Sequence, residues 1–134
     1  MKFSIDKNIL LTKLQLLSKA IPSRTTLPII GSALFTYKKN ILNIRTTDLE
    51  ISINLNCNVE NGEEGSVAIP LGKLLEITNA LPETKIRFTV SDIGKVNIEC
   101  NSGKYTIMGQ QHEEFPSEQT IENNQEFIVS AKEL

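Results

Sequence analysis

Apolar residues recur at two periods along this chain, and the changes of period divide it into elements. "KFSI" (2–5) alternates polar and apolar positions and meets Asp6, a suitable N-cap for a following helix. Over residues 7–21, Leu10, Leu14, Leu17 and Ile21 recur at helical spacing, while Asn8, Thr12, Gln15 and Lys19 gather on another face. This spacing predicts an amphipathic helix of about four turns, ended by Pro22. A second helix is predicted from Pro70, in its first turn, to Leu81, with Pro82 as the stop. Leu74, Ile77 and Leu81 form its core side, and Gly72, Lys73, Glu76 and Asn79 cluster opposite.

The remainder reads as strands. "IIGSALFTY" and "ILNIRTT" flank "KKN", a hairpin connection. "LEISINLNCNV" (49–59) alternates almost without a fault and is the cleanest strand pattern in the chain. "NGEEG" turns the chain, "SVAI" leads into the second helix, and "KIRFTV", "KVNIEC" and "KYTIMG" follow, separated by "SDIG" and "NSG" turns. The expected order is strand, helix, four strands, helix, three strands. Tight turns between neighbours make the sheets antiparallel, so the fold class is α+β, with two helices packed on one side of antiparallel sheets of about eight strands.

Residues 126–134, "EFIVSAKEL", can be laid over residues 2–10, "KFSIDKNIL": Phe127 falls on Phe3, Val129 on Ile5, Ser130 on Asp6 and Leu134 on Leu10. Both segments spell strand, cap and helix start. The expected organisation is one unit over 1–122, followed at 123–134 by the first strand and helix start of a second, as in a piece of a longer protein.

With 134 residues the chain fits one domain, and 5% aromatics without Trp mean a core of Ile, Leu and Val. A net charge of −2 does not advertise nucleic acid, although binding needs only a local basic face. Cys57 and Cys100 lie in alternating runs and are expected as reduced, buried strand cysteines. The opening residues lack a signal-peptide pattern and the apolar runs are too short for a bilayer, so a cytoplasmic protein without a membrane partner is expected.

Catalytic chemistry finds no constellation. His112, the only histidine, lies in an acidic loop, and no HxH, HExxH or CxxC spacing occurs, so neither a metal nor another cofactor is expected. Asp48 and Glu50 share a strand face in "TTDLE", a spacing that could serve acid/base work, although an Asp at a strand junction more often satisfies the backbone amides of a turn. Gly31, alone in its apolar run, reads as a bulge or a close packing point. Lys19, Arg24 and Lys73 lie on or beside the exposed helix faces, whereas Glu60, Glu63, Glu64, Glu113, Glu114, Glu118 and Glu122 lie in loops. Such segregation fits either a mildly basic binding surface or plain solvated helix.

"MKFSID", "SRTTLPIIGSALF", "LNIRTTDLEISI", "VAIPLGKLLEITNALP" and "HEEFP", in unbroken order over residues 1 to about 122, resemble the first domain of the bacterial sliding-clamp family, the beta subunit of DNA polymerase III. The resemblance implies a non-enzymatic processivity factor. Three such domains per subunit pair head to tail into a ring around duplex DNA, held weakly and without regard to sequence. The faces bearing Asn8, Thr12, Gln15 and Lys19, and Gly72, Lys73, Glu76 and Asn79, would then line the hole, and Arg24 matches the family's arginine in a loop at the inner rim. Members often carry Lys or Arg at the positions of Thr12, Gly72 and Asn79, so this domain is a weaker basic surface. By the same resemblance, "KYTIM" adds to the third domain of the other subunit to make the homodimer. Tyr105 and Ile107 would pack there, and Lys73, Lys95 and Lys104 would meet acids. Lys73 faces either DNA or that junction. Polymerase and clamp loader bind family members between the second and third domains, outside this chain. Two rivals stand beside this reading: a stand-alone β-rich protein-interaction module, and a small hydrolase using Asp48 and Glu50.

Overall fold

The period-2 segments close into two antiparallel sheets and the period-3.6 segments form two helices. A computed structural model describes residues 1–20, 31–47, 51–101 and 103–110. The elements are β1 (Lys2–Asp6), α1 (Lys7–Leu17), a short 3-10 helix (Ser18–Ala20), β2 (Ser32–Lys38), β3 (Ile41–Thr47), β4 (Ser52–Asn58), β5 (Gly65–Pro70), α2 (Leu71–Ala80), β6 (Lys85–Val90), β7 (Lys95–Cys100) and β8 (Gly103–Met108). Their order and number follow the pattern read from the sequence.

Strand, helix and three strands occur twice, and the two units interlock. One sheet runs β1-β6-β7-β8 and the other β4-β3-β2-β5, so each unit's first strand joins the other unit's meander. β1 pairs with β6 in the register Phe3↔Phe88 and Ile5↔Ile86, and β5 pairs with β2 in the register Val67↔Phe35 and Ile69↔Ala33. Paired backbone hydrogen bonds also join the sheets at both seams. Lys2 and Glu63 exchange them at one, and Ala68 and Gln110 at the other.

One core lies between the layers. Phe3, Phe35 and Phe88 are mutually stacked, with Phe3 and Phe88 centroids 4.6 Å apart, and Leu10, Leu14, Leu17, Leu71 and Leu74 join the same buried cluster from the helices. Fully burying each of these leucines stabilises the fold by about 1.5–3 kcal/mol. The two helices also pack against each other.

Several expectations give way to tertiary context. α1 ends at Leu17, where the chain tightens into the 3-10 helix, and Ile21 and Pro22 lie outside the described residues. Asp6 makes no side-chain cap bond. It is the last residue of β1, and the helix start is tied instead by the Lys7 amide donating to the Thr84 carbonyl at 2.9 Å. On α2, Ile77 is only half-buried, and Thr78 takes the inner position with Leu71 and Leu74. The Thr78 hydroxyl donates to the Leu74 carbonyl at 2.7 Å, so a polar group is buried already satisfied. The alternating run at 49–59 gives β4 from Ser52, an edge strand with no fully buried position. Gly31 is no close packing point: a Cβ there would meet nothing within 4 Å. Cys57 and Cys100 are half-buried rather than fully buried. Among the described residues no helix is long and apolar enough to cross a membrane.

Candidate nucleic-acid interface

The helix layer turns its leucines to the core and therefore its polar positions outward. α1 and the 3-10 helix expose Asn8, Thr12, Gln15 and Lys19, and α2 exposes Gly72, Lys73, Glu76 and Asn79. Neither helix carries an acid in its first turn. Within these helical residues the cations Lys7, Lys13, Lys19 and Lys73 face one acid, Glu76. The layer is thus mildly positive in a chain of net charge −2. Lys7 and Lys13 are half-buried, so Lys19 and Lys73 carry the exposed charge.

Hydrogen bonding narrows what this face offers a ligand. The Thr12 hydroxyl donates to the Asn8 carbonyl at 2.9 Å, and the Ser18 hydroxyl donates to the Gln15 carbonyl at 2.7 Å. Those hydrogens are used inside the helix. The outward donors are the amides of Asn8, Gln15 and Asn79 and the two ammonium groups. Such a surface attracts phosphate weakly and reads no base edge. Arg24, Asp48, Glu50 and His112 lie outside the described residues, as do 123–134. Among the described residues no three His, Cys, Asp or Glu side chains converge as metal ligands would.

The second predicted surface is the β8 edge. β8 ends its sheet, and its partner along residues 103–108 is β7 alone. Lys95 and Lys104 are exposed on the outward face of that sheet, and Lys73 is exposed on α2. Tyr105 is 36% exposed, but Ile107 is 8% exposed and belongs to this domain's own core. β8's alternation turns Ile107 inward opposite Val96, so of the two side chains expected at a partner Tyr105 is the more exposed.

Pattern reading passed over other features. Ile9 and Leu16, 47% and 45% exposed, form an apolar stripe on α1 beside the polar face, visible on the helical wheel once the core side is known. A cleft of about 490 Å³ lies beside it, lined by Ser4, Asp6, Ile9, Lys13, Cys57 and Lys85 among others. Burial pushes the Cys57 thiol up from its ordinary 9.0, and Lys13 offsets part of that effect. Arg45, in the middle of β3, is only 5% exposed, which a strand pattern does not signal.

The comparisons agree with the architecture. The family model described as DNA polymerase III beta subunit, N-terminal domain, matches residues 1–120. A beta sliding clamp of Vibrio harveyi is 29% identical over 135 residues, covering the whole of this chain and 93% of that one. The beta sliding clamp of Vibrio cholerae is 25% identical over 135 residues, but this chain spans only 37% of its length. The crystal structure of the DNA polymerase III subunit beta from Pseudomonas aeruginosa is 28% identical with a TM-score of 0.82, and the match covers 87% of this chain and 32% of that one.

Proposed function

This chain belongs to the family of the DNA polymerase III beta subunit's N-terminal domain, and from that membership we propose that it is the first domain of a sliding clamp. The whole protein would encircle duplex DNA as a head-to-tail homodimer and confer processivity on the replicative polymerase without catalysing a reaction. Residues 1–122 are assigned to the first clamp domain and 123–134 to the start of the second.

The observation that carries this reading is the pair of helices packed side by side, both turning polar, weakly cationic faces away from one core. A clamp has to hold DNA by topology while gripping no phosphate firmly, since each tight contact would impede sliding. Lys19 and Lys73 with the amides of Asn8, Gln15 and Asn79 supply attraction that salt screens readily, and Thr12 lies on the same face with its hydroxyl hydrogen already given to the Asn8 carbonyl. Arg24 is assigned to the same DNA-facing side. The β8 edge, with Tyr105, Lys95 and Lys104, is assigned to the subunit junction, where an unpaired strand gains a partner by sheet extension. Lys73 is exposed on α2 and serves either surface. Polymerase and clamp loader would engage domains beyond this chain, in the cytoplasm.

The test is topological. Full-length protein loaded by its cognate clamp loader should remain on nicked circular duplex through gel filtration in high salt and be lost when the circle is linearised. Equal retention on both forms would overturn the ring. The rival reading, a stand-alone interaction module, predicts no retention on either.

A further inference from the structure

The largest exposed positive charge among the described residues is not on the helices. Alternate residues of the β1-β6-β7-β8 sheet point away from the core, because their neighbours Phe3, Ile5, Ile86, Phe88, Val96, Ile98 and Ile107 are buried. The outward set includes Lys2, Lys85, Arg87, Lys95 and Lys104, all exposed, against two acids, Asp6 opposite Lys85 and Glu99 between Arg87 and Lys104, which leaves a net of three positive charges. Lys2 lies 3.7 Å from Glu63, beyond the sheet's rim, which reduces its contribution. By contrast, the exposed cations of the helix face are Lys19 and Lys73, with Glu76 beside them. On the other sheet the outward positions are mainly Thr36, Asn43, Asn54, Asn56 and Ser66, with Lys38 the exposed cation and Arg45 only 5% exposed.

We propose that the outer face of this sheet holds the sugar–phosphate backbone of nucleic acid, as a contact surface separate from the helix face. The arrangement favours a backbone over an acidic protein segment for two reasons. First, the cations are spread across all four strands, roughly 4.8 Å apart from strand to strand and about 6.7 Å between alternate residues along one strand. Lys95 and Lys104, assigned above to the subunit junction, are exposed in the 134-residue chain by itself, and Lys2, Lys85 and Arg87 lie away from that edge. A segment added along the β8 edge would meet only Lys95 and Lys104. Second, the one large apolar residue that its strands turn outward is Met108, at a corner, 56% exposed, and the cleft that reaches the β1 side meets this face at the polar residues Ser4, Asp6 and Lys85. Between the cations lie Ser4, Thr89, Asn97 and Thr106, side chains that contact phosphate oxygens elsewhere. The Thr106 hydroxyl donates to Asn97 Oδ1 at 2.9 Å, a bond that does not use the Asn97 amide hydrogens. The face is flat and without aromatics, so it holds the backbone by charge and reads no bases.

Binding of a fluorescent single-stranded oligonucleotide to the 134-residue chain, followed by anisotropy at low salt, tests this. The expected affinity falls with salt with a log–log slope of roughly −2, the value for about three net cations on a single strand. Lys85→Glu with Arg87→Glu should weaken binding at least about tenfold, whereas Lys19→Glu with Lys73→Glu should have the smaller effect. Lys85→Gln with Arg87→Gln keeps the test alive if charge reversal unfolds the sheet, and should weaken binding in the same direction. The proposal is overturned if the wild-type chain does not bind, or if the sheet variants bind as the wild type does. It also fails if the helix variant loses more, or if polyglutamate competes better than the oligonucleotide at equal salt. None of these outcomes depends on ring closure, which retention on circular DNA reports separately.

Discussion

Tyr105 and Ile107 stand two residues apart on one face of β8, yet Tyr105 is 36% exposed at the sheet's rim and Ile107 is 8% exposed within the core. The pair separates assembly from stability. In the full-length protein Tyr105→Glu should shift the sedimentation coefficient from dimer to monomer and leave the melting temperature nearly unchanged. Ile107→Glu should cost more than about 3 kcal/mol, because a carboxylate would sit unpaired in the core. A dimer that survives Tyr105→Glu refutes the assigned edge.

Gly62 has no room for a side chain. A Cβ there would lie 2.5 Å from the Lys2 carbonyl oxygen and 2.5 Å from the Tyr37 ring, while the Gly62 amide donates to Tyr37 Oη at 3.0 Å. Gly62→Ala should destabilise the domain by about 2–3 kcal/mol through overpacking, measured by urea unfolding. Tyr37→Phe, which removes the hydroxyl that also donates to the Val59 carbonyl, should cost about 1–3 kcal/mol. A Gly62→Ala domain as stable as the wild type would show that the connection after β4 yields.

The helix face should govern ring–DNA attraction without governing stability. Lys19→Ala with Lys73→Ala, in the closed ring, should reduce the salt dependence of DNA contact by roughly two counterions and move stability by no more than about 0.5 kcal/mol. Arg24→Ala should weaken loading or DNA contact with a similarly small change in melting temperature. Thr12→Lys with Asn79→Lys should act oppositely, lengthening residence on linear DNA and slowing diffusion along it. Diffusion unchanged by either set would remove these positions from the DNA-facing surface.

Cys57 makes the fold sensitive to alkali. Burial raises its pKa above the ordinary 9.0, so the folded chain keeps the proton that the unfolded chain releases. The stabilisation is complete below 9.0 and is lost as pH rises through the folded pKa. Urea unfolding between pH 8 and 10.5 should show a steeper fall for the wild type than for Cys57→Ala. Alkylation of Cys57 at pH 8 should be slow in the native chain and fast in urea, and equal rates would contradict the assigned burial.

Local pattern determined much of this protein. The leucine spacing of residues 10, 14 and 17 located α1 and, with it, the exposed face of Asn8, Thr12, Gln15 and Lys19, because helical periodicity depends only on near neighbours in the chain. The same holds for the strand count and for the surface opposite Leu74 on α2. What the pattern did not contain is which elements meet. Residues 49–59 alternate as well as any strand here, yet β4 is an edge with no fully buried position, whereas β2 and β3 occupy the centre of that sheet. Period 2 placed Tyr105 and Ile107 on one face but could not say that only Ile107 reaches the core. Asp6 had the chemistry of a cap, but the Thr84 carbonyl took the helix's first amide from a distant part of the chain. The crossing of β1 onto β6 and β5 onto β2, and the cations it gathers on one sheet face, are likewise contacts between residues far apart in sequence. Side-chain period is set by backbone geometry within a few residues, whereas edge, centre and outer surface are set by long-range pairing, which only the folded chain decides.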